Sequence, residues 1–175
     1  MKVIKFTISL LLVTLSANVF AQQNIVVMDP DAVLLNSAYA KEQLSSLQNG
    51  EQYKSLVTRI NALRSELGKL QEEEQKNALT WSADQKQAHR SSMQAKVDEL
   101  NLVGKQAEDM NNRVLNGVQR ELTPMLEKVV TDLVAEKGYD LILNNRVTIY
   151  STEKNTITQI VIDALDKEMA KNAAQ

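Results

Sequence analysis

Apolar residues at helical spacing run through the middle of the chain. The first series steps by three and four with polar positions between, at Tyr53, Leu56, Ile60, Leu63, Leu67 and Leu70. This heptad pattern is typical of a coiled-coil seam, and it predicts a helix from about Ala32 to Ala78. A second series has the same steps, at Met93, Val97, Leu100, Gly104, Ala107, Asn111, Val114 and Val118. It predicts a helix from Ser82 to Lys137.

The two series predict an antiparallel hairpin that turns at residues 79–82. Facing residues then have numbers that sum to about 160, so that Leu56 faces Gly104. Large side chains meet small ones, as interdigitating layers require, which would explain a glycine inside a helix. Ser82 and Gln85 have the spacing of a capping box, which would start the second helix after the bend.

Helix breakers mark several points along this hairpin. Asn49 and Gly50 would face Asn111 and Asn112, and we interpret these four residues as a hinge. Pro124 lies inside the second helix and predicts a kink or break about one turn earlier, near Glu121. Gly138 suits the left-handed position that ends a helix.

The N-terminal part of the body begins with a strand. Ile25 to Met28 is a β-branched run that predicts this strand. Asp29-Pro30-Asp31 follows and has the form of a helix start, with a capping aspartate, a proline in the first turn and an acidic residue near the positive dipole end. Aspartates beside a strand end could also be catalytic, but capping accounts for all three residues.

The chain after Gly138 predicts two more strands, at residues 140–144 and 147–151, joined by a turn at Asn145-Arg146. A last helix is predicted to begin at Thr156, with Gln159 completing a capping box. Three short strands bury little and leave unpaired edges, so we expect self-assembly through the strands. The residues expected there are Ile25, Val27, Leu141, Leu143 and Ile149.

The predicted fold is therefore mostly α-helical with a small β component. Residues 22–48 and 113–175 form a discontinuous α/β oligomerisation body, and residues 49–112 form a long hairpin, which we call the arm, with its tip near residues 79–82. Residues 1–21 have the layout of a signal peptide, with Lys2 and Lys5 before an apolar run that is shorter than the ~20 residues of a membrane span. We expect cleavage after Ala21 and export to the periplasm, with an uncleaved anchor as the alternative.

Composition offers no catalytic constellation. Cleavage would reduce Lys+Arg from 20 to 18 against 22 Asp+Glu, a formal charge of −4, and remove both phenylalanines. The chain has no cysteine, no glycine-rich phosphate loop and one histidine, His89, for which a solvated or seam position is expected. We expect no enzyme activity, cofactor, metal or nucleic-acid partner.

The late segments resemble the Skp/OmpH-like family of periplasmic chaperones. They are Met125 to Val129, Gly138 to Leu143, Tyr150-Ser151 and Thr156 to Thr158, in the same order beside the N-terminal strand and the hairpin. The resemblance covers essentially the whole chain after residue 21. It implies a jellyfish-shaped homotrimer whose three arms surround a cavity and hold unfolded outer-membrane proteins without ATP or a cofactor.

The arm tip departs from the basic tips of the best-known members of that family. Residues 69–90 carry four basic and four acidic side chains, so a lipopolysaccharide or anionic-membrane site does not carry over. The candidate client contacts are Leu79, Trp81, Leu70 and Met93. Trp81 could instead pack as a lid on its own helices. The alternative function is a structural or adaptor coiled-coil protein of the cell envelope.

Overall fold

The computed structural model describes residues 23–173, so the expected signal peptide lies outside the described residues. Within this range the chain is mostly helical and has a two-stranded parallel sheet. In chain order the elements are β1 (Ile25–Met28), α1 (Pro30–Asn36), α2 (Ala38–Asn49), α3 (Glu51–Asn77), α4 (Ala83–Lys137), β2 (Leu141–Asn144) and α5 (Thr158–Ala173). Two 3-10 helices, Asn145–Val147 and Glu153–Asn155, lie between β2 and α5.

The antiparallel pairing of α3 and α4 confirms the hairpin. Arg59 of α3 pairs with Glu99 of α4, and Glu66 pairs with Lys96. The numbers of these pairs add to 158 and 162, which agrees with the predicted register. All six heptad residues of α3 are half-buried or buried, and Leu63 is the most deeply buried of them.

The predicted seam of α4 is wrong by one residue at two positions. Val103 is buried where Gly104 was expected, and Lys96 is more buried than the exposed Val97. A Cβ added at Gly104 would meet no atom within 4 Å, so the proposed packing reason for that glycine is also wrong. The two series had the same heptad steps, but a heptad of apolar residues cannot reveal that a paired lysine occupies a seam position.

The single helix predicted from Ala32 to Ala78 is wrong, because three helices occupy this range. Ser37 ends α1 and caps α2, and its hydroxyl accepts a hydrogen bond from the amide of Ala40 at 3.2 Å. Ser37 is fully buried, so it serves the core and the cap together. Gly50, in an extended conformation, separates α2 from α3.

The second long helix is unbroken in spite of Pro124. A break near Glu121 is therefore wrong, since α4 continues from Ala83 to Lys137. Pro124 is exposed, whereas Leu122 and Leu126 on either side of it are buried in the body core. Packing of this apolar face stabilises the helix across the missing hydrogen bond, since tertiary contacts supply most helix stability in proteins.

The two strands pair in parallel, with Ile25 opposite Leu141 and Met28 opposite Asn144. The core of the body lies between β1, α1, α2, the last third of α4, and α5; its buried members are Val26, Met28, Val33, Ala40, Val118, Leu122, Leu126, Val129, Leu133, Ile157, Val161, Ile162 and Leu165. It is built from residues near both ends of the chain, which the topology of the sheet brings together.

The strand predicted at residues 147–151 is wrong, and the turn before it is a 3-10 helix. The Asn144 side chain accepts a hydrogen bond from the Arg146 amide at 2.9 Å, which turns the chain at the end of β2. Thr156 forms the bridge to Val27 of β1 instead, and the Ile157 amide donates to the Val27 carbonyl at 2.9 Å. Ile149 is consequently fully exposed.

Helix capping follows the sequence at three of four predicted places. Asp29 caps α1, Ser82 and Gln85 form the complete capping box of α4, and Gly138 ends α4 with φ of 65°. The capping box at Thr156 is wrong. The Thr156 hydroxyl donates to the Thr152 carbonyl, Gln159 donates to Asp163, and α5 begins at Thr158.

Alanine substitutions at the glycine that ends α4 and at the glycine in its middle should have opposite effects on stability. Gly138→Ala should lower the free energy of unfolding by about 1 kcal/mol, because a Cβ is strained in the left-handed conformation. Gly104→Ala should raise it by about 0.5–1 kcal/mol, since alanine favours the helix and has open space there. Urea unfolding at one protein concentration measures both. Effects of the same sign would contradict this account.

Candidate functional site

The tip of the arm exposes an apolar side chain at the turn between α3 and α4. Leu79 is 101 % exposed, so no residue of the described chain covers it. The turn is short because Ala78 ends α3 with a hydrogen bond to Glu74 and the Ser82 capping box starts α4. Leu79 thereby lies at the outer end of a short connection whose two ends are fixed by hydrogen bonds.

Trp81 lies over His89 and is half-buried. The ring centroids of the two residues are 4.6 Å apart, and the planes are tilted by 45°. The packing of Trp81 on its own hairpin agrees with the lid alternative, although the exposed part of the ring remains available to a partner. Its role as a client contact therefore stays a prediction.

His89 is a buried member of the seam, which was one of its two expected positions. Its side chain is 7 % exposed, and Nε2 has no hydrogen-bond partner. The nearest carboxylate oxygen, Oε2 of Glu74, is 3.8 Å from Nε2. One step of four back from Met93 along the seam reaches His89, so the heptad spacing contained a signal for its burial.

A cavity of about 440 Å³ opens at the tip, lined by Glu74, Ala78, Leu79, Trp81, Lys86, His89 and Arg90. It combines an apolar and aromatic wall with one acidic and two basic side chains. The other two candidate contacts, Leu70 and Met93, lie in the seam below and are half-buried. Of the four predicted contact residues, the structure therefore brings Leu79 and Trp81 to one site.

Besides Leu79, three apolar residues of the arm are exposed: Val57 and Leu102, which lie outside the predicted seam, and Val97, which the heptad series placed in it. Leu102 is the most exposed of these at 59 %. No contact role was predicted for Val57 or Leu102, because neither belongs to a heptad series. The sequence did contain a signal for their exposure, because each is an apolar residue at a position where the heptad pattern normally has a polar side chain.

The middle of the arm is joined by ion pairs between α3 and α4. Nε of Arg59 donates a hydrogen bond to Glu99 at 2.7 Å. Arg59 also lies near Glu66, which accepts a hydrogen bond from Lys96. The hydrogen bond to Glu99 raises the pKa of Arg59, and the hydrogen bond from Lys96 lowers the pKa of Glu66. The ionised form of Glu66 is thus favoured, and its contribution to the pairing would be lost as pH falls through that lowered pKa.

The four predicted hinge residues differ in secondary structure. Asn49 ends α2 and Gly50 separates it from α3, whereas Asn111 and Asn112 lie within the unbroken α4. The discontinuity is thus on one helix of the pair. Hinge motion at these residues stays a prediction.

The body also carries exposed apolar side chains, near β2 and the segment after it: Leu141, Val147, Ile149 and Tyr150. Among the predicted assembly residues, Val27 is buried, Leu143 is half-buried and Ile25 lies at the margin of exposure. The outer edge of β2 pairs with no strand within residues 23–173. Assembly through this surface stays a prediction.

Residues 23–173 contain no cluster of three or more His, Cys, Asp or Glu side chains that could hold a metal ion. No helix in this range combines the length and the apolar character that crossing a membrane requires.

The chain is similar to a known protein family and to solved structures. The family model described as "Outer membrane protein (OmpH-like)" matches residues 24–165. The crystal structure of an OmpH-like protein from Caulobacter crescentus is similar with a TM-score of 0.48 and 16 % identity, covering 83 % of this chain and 85 % of that chain. No curated protein matches the chain.

Proposed function

Because the chain belongs to the OmpH-like family, we propose that it is an ATP-independent periplasmic holdase chaperone. It binds unfolded outer-membrane proteins between flexible arms and keeps them from aggregating. Membership of the family supports the chaperone role. The observation that carries the holding mechanism is the arm, a hairpin with exposed apolar side chains along its length and at its tip.

Holding would use many weak contacts. Each exposed apolar side chain of the arm offers a client only a small area, at roughly 25 cal/mol per Å² removed from water. A long unfolded chain can touch several such residues at once, and the summed contacts give useful affinity by multivalency. Release then requires no nucleotide, because each contact breaks easily as the client folds.

The cavity in this proposal requires more than one copy of the chain. Three bodies, residues 22–48 and 113–175, would assemble through the open edge of β2 and the exposed Leu141, Ile149 and Tyr150. Burial of these side chains would supply the association free energy that apolar surfaces of this kind provide. Native mass spectrometry of the mature protein should therefore give three times the mass of one chain.

The arm contacts can be tested by aggregation suppression. We expect the mature protein to keep a urea-diluted outer-membrane barrel protein soluble without ATP. The double variant Leu79→Ser, Leu102→Ser should need about three- to tenfold more protein for half-maximal protection, since losing 0.7–1.4 kcal/mol of contact corresponds to about this change. Light scattering measures the protection.

A matched control is Ile160→Ser, which changes an exposed apolar residue on α5 of the body. It should leave protection unchanged. Equal protection by the double variant and the unaltered protein would contradict the contact role of these residues. Failure of the unaltered protein with several barrel proteins, together with tight binding to one folded envelope protein, would favour the adaptor function instead.

A further inference from the structure

The chain contains two Asn-Gly sequences, Asn49-Gly50 and Asn116-Gly117, which lie in different structural settings. Asparagine is a thermolabile residue, because the backbone nitrogen of the next residue can attack its side-chain carbonyl carbon. Glycine at the next position hinders this attack least, since it has no Cβ. Both sequences therefore have the required chemistry, and the backbone around each one decides whether it reacts.

Asn49-Gly50 lies at the junction of α2 and α3. Asn49 is exposed, and its Nδ2 donates to Ser45 Oγ at 3.2 Å, an exposed contact that water can replace. The Gly50 amide donates to the carbonyls of Ser46 and Leu47 at 3.0 and 3.1 Å, at the very end of α2. Gly50 itself is already extended, with ψ of 136°. Opening one end turn thus frees the attacking nitrogen, and helix ends fray easily.

Asn116-Gly117 lies inside a helix that the body core holds in place. α4 is unbroken from Ala83 to Lys137, and Val118, directly after this pair, is 2 % exposed in the core. A helical backbone keeps the next nitrogen away from the side-chain carbonyl carbon, so attack here first requires α4 to unwind locally. Unwinding breaks hydrogen bonds on both sides and exposes Val118 to water. It therefore costs far more free energy than opening the end of α2.

We propose that Asn49-Gly50 is a site of spontaneous deamidation and that the fold protects Asn116-Gly117. The Gly50 nitrogen forms a bond to Cγ of Asn49, and the bond from Cγ to Nδ2 breaks. The proton of the Gly50 amide passes through solvent to the leaving nitrogen, which departs as ammonia. Water then opens the resulting succinimide at one or other carbonyl, which gives aspartate or isoaspartate. No oxidation or reduction takes place.

The products alter the junction between the body and the arm. Aspartate and isoaspartate both place a negative charge at the C-terminal end of α2, where the helix dipole disfavours it. Isoaspartate also adds a carbon atom to the backbone between α2 and α3, whereas α4, which is the other connection to the arm, stays continuous. The modification thus changes one of the two connections. It does not depend on the proposed holdase activity.

Incubation of the folded mature protein in warm, mildly alkaline buffer tests this proposal. Peptide mass spectrometry should show the amide-to-acid mass gain at Asn49 at least about tenfold faster than at Asn116, which corresponds to a difference of about 1.4 kcal/mol between the two opening free energies. Fragmentation that distinguishes the two linkages should identify isoaspartate among the products. In Asn49→Gln this position should stay unmodified, because the longer side chain must close a larger ring.

The matched control is the same protein unfolded in guanidinium chloride. The two sites have lost their different settings there, so they should react at similar rates. The proposal would be overturned if Asn116 reacted as fast as Asn49 in the folded protein, or if Asn49 of the folded protein stayed unmodified long after the unfolded chain had reacted. The same preference for Asn49 in the unfolded chain would overturn it as well, because the fold would then not be its cause.

Discussion

Leu122→Ala should lower the free energy of unfolding of the body by about 2–5 kcal/mol, one of the two largest effects that we expect from a single substitution in this chain. Leu122 is 0 % exposed and lies in the body core, between α4 and the elements from both ends of the chain. Alanine loses the transfer free energy of the removed atoms and leaves a cavity that the surrounding helices fill only in part. Urea unfolding followed by circular dichroism measures the loss.

The control for this substitution is Leu102→Ala on the same helix. Leu102 is 59 % exposed, so its truncation should change stability by no more than about 0.5 kcal/mol. Both variants must be compared at one protein concentration, because the proposed assembly would contribute to apparent stability by mass action. A loss at Leu122 no larger than at Leu102 would show that burial of Leu122 in the core does not stabilise the body.

Leu63→Ala should open the arm without unfolding the body. Leu63 is 0 % exposed and is the most buried side chain of α3, so its truncation should cost about 2–5 kcal/mol of local stability. Apart from the adjacent α2, α3 packs mainly on α4, and a unit with few partners can open separately from the core. Hydrogen exchange should show faster amides in residues 51–77 and unchanged amides in α5.

Leu79→Ala is the matched control for the arm, since it makes the same chemical change at a fully exposed position. It should leave the exchange of the arm unchanged. If Leu63→Ala instead accelerated α5 as much as α3, arm and body would form one cooperative unit. The proposed division into a body and a flexible arm would then be wrong.

The hairpin was predictable because its signals are local and repeated. The heptad of α3 and the capping box at Ser82 define the two helices and the turn. Antiparallel geometry then requires that the numbers of facing residues add to about 160, and the pairs Arg59–Glu99 and Glu66–Lys96 agree with this register. The register within α4 was less predictable, since Lys96 occupies a seam position through a partner on the other helix.

The body was harder to predict because its elements depend on distant partners. The same capping-box spacing was right at Ser82 and wrong at Thr156, where the next amide, that of Ile157, bonds to Val27 across the sheet. Pro124 failed to end α4 because buried residues on both sides keep the helix in the core. The local pattern around Ser37 predicted a continuous helix. In the structure α1 ends at Ser37, whose side chain is buried.

The candidate site was likewise predictable from the sequence only in part. The exposure of Leu79 at the turn could be predicted from the bend between two helical patterns. The closeness of His89 to Trp81 and Glu74 could not, since it depends on how the turn folds back on both helices. The exposed Leu102 was likewise missed, because composition and spacing do not say which face of a long helix lacks a neighbour.

Local periodicity and helix-end chemistry, both present in the residues themselves, were enough to establish a long antiparallel helical hairpin and a strand near each end of the chain. The parallel pairing of those strands, the three-way division of the first helical region and the buried histidine at the tip came from contacts between residues far apart in sequence. Such contacts override local preference because burial in a shared core outweighs the ~1 kcal/mol or less by which most residues differ in helix propensity.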